Sequence, residues 1–170
     1  NCFTMNVTGL FEEPHVIDDC GLQISPDGRL RHLLTLKTLG KEHISRILDE
    51  AETFLSPLGH PAVRTQCLKG LTVANLFFEP STRTRASFDL AAKRLGADVL
   101  NLDVNTSSRK KGESIIDTIY TLQAMQIDVF VVRDASAGVS SYIAQNVEDH
   151  VSILNAGEAE VSHPTQGLLD

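Results

Sequence analysis

No stretch of this 170-residue chain approaches the ~18 apolar residues of a membrane-spanning helix. The longest apolar run, Val129 to Val132, has only strand length. The first residues lack the basic region and apolar core of a secretory signal. Cysteine is scarce: Cys2, Cys20 and Cys67 are odd in number and widely spaced, which excludes a CxxC zinc pattern and a disulfide framework. They read as reduced thiols of a cytoplasmic protein. Basic residues are outnumbered, 15 against 22 acidic ones, giving a net charge of -7. A field of that sign argues against nucleic acid as a partner, because phosphate neutralisation needs positive surface. A small anion can still be held where a few cations converge. No Cys/His/Asp/Glu group has metal-ligand spacing. There is no GxSxG elbow, no GxxxxGKS loop, no glycine-rich dinucleotide fingerprint, no internal repeat and no low-complexity segment. What remains, 42% hydrophobic and 22% charged residues, is the composition of an ordinary globular domain.

Residues 1–29 differ from the rest. They carry Pro14, Pro26, Gly9, Gly21 and Gly28 and two acidic pairs, with no sustained periodicity. They read as an N-terminal extension or arm, partly ordered at best. From Leu30 the pattern is regular. Ile44, Ile47, Leu48, Ala51 and Leu55 fall on one face of a helix from about Lys41 to Leu55. Strands are expected at Leu71–Phe78, Asp98–Leu102, Asp128–Arg133 and Val151–Leu154. Between them lie helices at about Thr82–Leu95, Glu113–Met125 and Gly138–Val147, and a polar loop at Asp103–Gly112. Pro164 fits the first position of a further helix. This alternation predicts an α/β fold: one open parallel sheet covered by helices on both faces, a single domain over 30–170. Ligands of such sheets sit beyond the carboxyl ends of the strands.

Chemistry is concentrated at those ends. After Phe78 comes Glu79-Pro80-Ser81-Thr82-Arg83-Thr84-Arg85, three hydroxyls and two guanidiniums at a helix N-terminus. Arginine is disfavoured there by about 0.3–1 kcal/mol, so something negative should compensate. A bound phosphate or Glu79 would both serve. A Ser/Thr cap with surface arginines paired to acids is the other reading. The loop after Leu102 carries Arg109-Lys110-Lys111 in an acidic chain, either as a solvated loop or as a lid whose lysine reaches an anion. Arg133 ends the third strand, pointing into the crevice or pairing with Asp128 or Asp134. His163 and Gln166 fall on one face of the last helix.

Taken together, Phe-Phe-Glu-Pro-Ser-Thr-Arg-Thr-Arg (77–85), Ser-Ser-Arg-Lys-Lys-Gly-Glu-Ser (107–114), Val-Val-Arg (131–133), Leu-Asn-Ala-Gly (154–157) and His-Pro-Thr-Gln (163–166) stand in the order and spacing of the carbamoyltransferases. From Leu30 to Asp170 the chain resembles the first half of the aspartate carbamoyltransferase family. Thr165, where the ornithine branch usually has cysteine, favours the aspartate branch. The resemblance implies a carbamoyl phosphate-binding domain, with the family's second, aspartate-binding domain absent from these residues. It implies that Ser81, Thr82, Arg83 and Thr84 bind the phosphate. Arg133 would bridge phosphate and carbonyl oxygen, Thr84 and His163 would hydrogen-bond that oxygen, and Gln166 the carbamoyl amine. Ser107 and Lys111 would reach the site from a neighbouring subunit of a homotrimer. The implied catalytic set is Arg83, Thr84, Arg133 and His163, with no metal and no cofactor. The implied substrates are carbamoyl phosphate and L-aspartate, and regulatory or dihydroorotase-like partner chains are compatible with the family. The isolated chain is expected to turn over aspartate barely or not at all. The alternative reading is a non-catalytic carbamoyl phosphate-binding or trimer-forming module. Asp134 replaces the family's usual histidine, and Glu158-Ala159 replace an Asp-Gly pair. An acid beside Arg133 would weaken anion affinity.

Overall fold

The computed structural model describes residues 19–103, 115–159 and 162–170. Four strands form its sheet: β1 (Thr72–Phe77), β2 (Asp98–Asp103), β3 (Val129–Asp134) and β4 (Ser152–Glu158). All pairs are parallel and the spatial order is β2-β1-β3-β4. The helices are α1 (Asp19–Gln23), α2 (Lys41–Glu52), α3 (Thr82–Arg94), α4 (Ile115–Ala124), α5 (Val139–Ala144) and α6 (Pro164–Gly167). The expected α/β architecture is the one observed.

Strand alternation sends successive side chains to opposite faces of the sheet. Ala74, Leu76, Phe130, Val132 and Ile153 face one way and pack on Ile119 and Leu122 of α4 and Ile143 of α5. Val73, Phe77 and Val131 face the other way, toward Phe88 and Ala92 of α3. Both faces are therefore covered, as burial of the parallel strands' unbroken apolar runs requires.

The chain leaves β1 toward β2 on one side and returns to β3 on the other. The sheet thus has its switch point between β1 and β3, where Phe77 is in register with Arg133. The Phe78 N–H donates to the Arg133 carbonyl at 2.9 Å and carries the β1 strand end past that point. Crevices in open parallel sheets form at such a point.

Most boundaries shift by a few residues from the pattern reading, α5 for instance ending at Ala144 rather than Val147, and three departures bear on the core. Helix α2 stops at Glu52, and Leu55 lies beyond it, 74% exposed. None of its residues is buried among the described residues, so its apolar face does not contribute to the core. Strand β4 runs four residues past Leu154, because Asn155, Ala156 and Gly157 remain in the ladder region despite their turn-like composition. The part of residues 1–29 that is described is built into the domain. Gln23 is fully buried, its Oε1 accepting from Leu34 N–H at 2.7 Å and Thr35 N–H at 3.0 Å, and its Nε2 donating to Thr38 Oγ1 at 2.9 Å. Beside it Leu33 runs parallel to β4, its N–H donating to the Ile153 carbonyl at 2.8 Å.

Candidate active site

Beyond the carboxyl ends of β1 and β3 lies a cleft of about 500 Å³. It is lined by Ser81, Arg83 and Thr84 from the start of α3, Arg133 from β3, and His163 and Gln166 from the α6 region. Six of the nine sequence-predicted site residues are thus brought together. Thr82 occupies the same turn of α3 but does not line this cleft. Ser107 and Lys111 lie outside the described residues.

The first turn of α3 is polar and cationic because Pro80 ends the preceding extended segment and Ser81 takes the N-cap position. The Ser81 hydroxyl makes no capping bond, and the first turn contains no acid. The positive end of the helix macrodipole and the exposed Arg83 therefore face the same space. Arg85 is turned aside, over the Phe77 ring at 6.0 Å from its centroid.

Arg133 is held at both ends of its guanidinium. Nη1 donates to the Ala156 carbonyl at 2.9 Å, and Nη2 lies 2.6 Å from Glu79 Oε1. Among the described residues, neither acid considered from the sequence forms an ion pair with Arg133. Asp128 Oδ2 accepts the Thr72 N–H at 2.8 Å, and Asp134 Oδ1 accepts the Ser136 N–H at 2.8 Å while its residue is almost wholly buried. The carboxylate that tempers Arg133 is Glu79, which sequence reasoning placed opposite the helix arginines. Glu158, the other departure, accepts from Gly138 N–H at 3.0 Å and Ser140 N–H at 2.6 Å and so caps α5.

His163 precedes Pro164 as the N-cap of α6, and its carbonyl accepts the N–H groups of Gln166 and Gly167, both at 3.0 Å. Its ring Nδ1 lies 3.3 Å from Thr165 Oγ1. Burial, and then the nearby Arg133 charge, hold the imidazole below its usual pKa and so favour its neutral form. A neutral imidazole offers one N–H as a hydrogen-bond donor. Gln166 Nε2 donates to Asp170 Oδ1 at 3.3 Å.

Sequence reasoning did not single out Ser87, Phe88 and Leu169, which also line the cleft, and Gly157 beneath it was quoted only within a family motif, with no role. Ser87 and Phe88 lie one turn after Arg83 and Thr84, so helical spacing was the available signal. Thr165, used above only to separate two families, lines the cleft too.

Residues 31–170 match the model of the aspartate/ornithine carbamoyltransferase family, carbamoyl-P binding domain. The chain belongs to this family. Among solved structures it is similar to the catalytic subunit of M. jannaschii aspartate transcarbamoylase, with 42% identity and a TM-score of 0.70 over 83% of this chain and 45% of that one. It is also similar to the Trypanosoma cruzi aspartate transcarbamoylase crystallised with carbamoyl phosphate and aspartate, with 34% identity and a TM-score of 0.71 over 82% of this chain and 42% of that one. The same T. cruzi enzyme in complex with N-(phosphonacetyl)-L-aspartic acid aligns at 36% identity, with a TM-score of 0.70 over 82% of this chain and 42% of that one. The chain therefore spans less than half the length of these structural relatives. These likenesses place it with the carbamoyl phosphate-binding, N-terminal domain of the aspartate enzymes.

Proposed function

We propose that this chain is the carbamoyl phosphate-binding half of an aspartate carbamoyltransferase, the enzyme that makes N-carbamoyl-L-aspartate for pyrimidine synthesis. The observation that carries the reading is the convergence of Arg83, Arg133 and His163 on one cleft at a helix N-terminus. Family membership supplies the substrate.

The phosphate of carbamoyl phosphate would lie against the start of α3, held by Ser81, Thr82, Arg83 and Thr84. Guanidinium and hydroxyl donors suit a phosphate's oxygens, and the helix dipole adds to both. Arg133 reaches between phosphate and carbonyl oxygen, Thr84 and His163 donate to the carbonyl oxygen, and Gln166 meets the carbamoyl amine. Ser107 and Lys111 complete the phosphate side from a neighbouring subunit of a trimer.

The uncharged amine of L-aspartate attacks the carbonyl carbon. The bond from that carbon to the phosphate oxygen breaks, and phosphate leaves with the electron pair and accepts the amine's proton. Negative charge grows on the carbonyl oxygen and the departing phosphate, which these donors would stabilise. One lost donor of this kind costs about 3 kcal/mol in activation. His163 serves as a donor rather than a base, in keeping with its depressed pKa. Aspartate's own binding groups belong to the family's second half, and these residues would supply the carbamoyl phosphate side of the site. The whole enzyme works in the cytoplasm.

The test is calorimetric titration of the chain with carbamoyl phosphate beside an Arg83→Ala variant, with light scattering for mass. Saturable binding that the variant loses supports the reading. Equal heats from both overturn it. A trimeric mass supports the shared loop.

A further inference from the structure

Gly157 lies directly beneath the two charged and polar groups that meet in the cleft. Its φ is +121°, and a Cβ built on it would overlap Arg133 Nη1 and crowd both the Arg133 Cζ and the His163 Cδ2, each at 3.2 Å. The guanidinium and the imidazole rest on bare backbone. The bend that presents this backbone is fixed from below by Asn155. That side chain is buried, with Oδ1 accepting the Gly157 N–H at 2.9 Å and Nδ2 donating to the Leu34 carbonyl at 2.9 Å. Between them, the Ala156 carbonyl accepts from Arg133 Nη1 at 2.9 Å. Three consecutive residues thus provide a brace, an acceptor and a gap.

We propose that Gly157, braced by Asn155, is a positioning residue that sets the Arg133 guanidinium and the His163 ring side by side over the cleft. The proposal deepens the function proposed above and rests on it for the identity of the anion. The glycine has two independent reasons to be there: the left-handed backbone and the close approach. A side chain would violate both, displacing Arg133 from the Ala156 carbonyl and opening the gap to His163.

A control separates positioning from strain. Gly70 also has a positive φ, +88°, but a Cβ there meets nothing within 4 Å. Gly70→Ala and Gly157→Ala should both lower thermal stability through backbone strain. Only Gly157→Ala should weaken binding of inorganic phosphate, at least ten-fold. It should also shift the His163 ring titration, followed by NMR in the ligand-free chain, upward toward the ordinary histidine value. That readout needs no ligand. Failure of the native chain to bind phosphate would therefore overturn the proposed function, while an unmoved His163 titration in folded Gly157→Ala would overturn the positioning role. If Gly157→Ala does not fold while Gly70→Ala does, adding Arg133→Lys decides. Recovery of folding places the collision at the guanidinium, and no recovery overturns the inference.

Discussion

Arg133 Nη2 lies 2.6 Å from Glu79 Oε1, so the cation at the end of β3 is paired across the switch point with the acid that follows β1. The two side chains are 23% and 29% exposed, so water still screens them. Anion binding has to compete with this carboxylate for Arg133. Glu79→Gln should therefore tighten phosphate binding by about three- to ten-fold at low salt, with the gain shrinking as salt rises. Folding stability should change by less than about 1 kcal/mol. Calorimetry at two ionic strengths checks both. Weaker binding by the variant would show that Glu79 orients Arg133 more than it opposes the ligand.

His163 should titrate below the ordinary histidine value in the free chain. Burial is the larger cause and Arg133 the smaller, so Arg133→Ala should raise the midpoint only part of the way. A bound phosphate puts negative charge beside the ring and should raise it as well. NMR titration of the ring, with and without phosphate, measures all three.

His32 is buried against β4, its Nδ1 accepting the Ile153 N–H at 3.0 Å and its Nε2 without a partner among the described residues. Desolvation is the main cause that lowers its pKa from 6.5 to about 4, with Arg31 adding to it. The unfolded chain then binds the proton more readily than the native one between these values. Stability should be full above pH 6.5 and fall as the pH drops toward 4, by an amount on the order of 3 kcal/mol from this group. Urea unfolding of native and His32→Asn chains across that window isolates the contribution. The variant should show the shallower pH dependence, and identical slopes would refute the assignment.

Gln23→Ala should remove the acceptor for the Leu34 and Thr35 N–H groups and leave a buried donor unanswered. A cost of about 2–4 kcal/mol follows. Thermal unfolding should shift down by roughly 5–10 °C. A shift under about 2 °C would mean that the α1 segment contributes little to the fold.

The sheet was legible because parallel buried strands leave short apolar runs, and Val129–Val132 is the plainest of them. The residues of the cleft were legible because ligands of parallel sheets sit beyond the carboxyl ends of the strands and the family motifs fall there, and Ser81, Arg83, Thr84, Arg133, His163 and Gln166 line the cleft. Partnerships were harder to read. Arg133 had acids next to it in sequence, yet its partner is Glu79, brought alongside by the register of β1 and β3. Gly157 stood in the Leu-Asn-Ala-Gly stretch just past the expected end of the fourth strand, and composition cannot show what rests on a bare Cα. The α2 face reads as core by periodicity alone, since a helical stripe says which side is apolar but not what meets it.

The order β2-β1-β3-β4 also has a kinetic side. Thr72 N–H is closed by Asp128 across 56 residues, and Ile153 N–H by His32 across 121. Contacts this distant in sequence form only after large loops have closed, which slows folding. The cleft requires β1, β3 and β4 to be docked together, so it arises late on the way in. On the way out, fraying at the carboxyl ends of β1 and β3 separates Arg133 from Glu79 while the apolar residues deeper in the strands stay packed. Loss of anion binding should thus precede loss of helical signal as the chain is warmed.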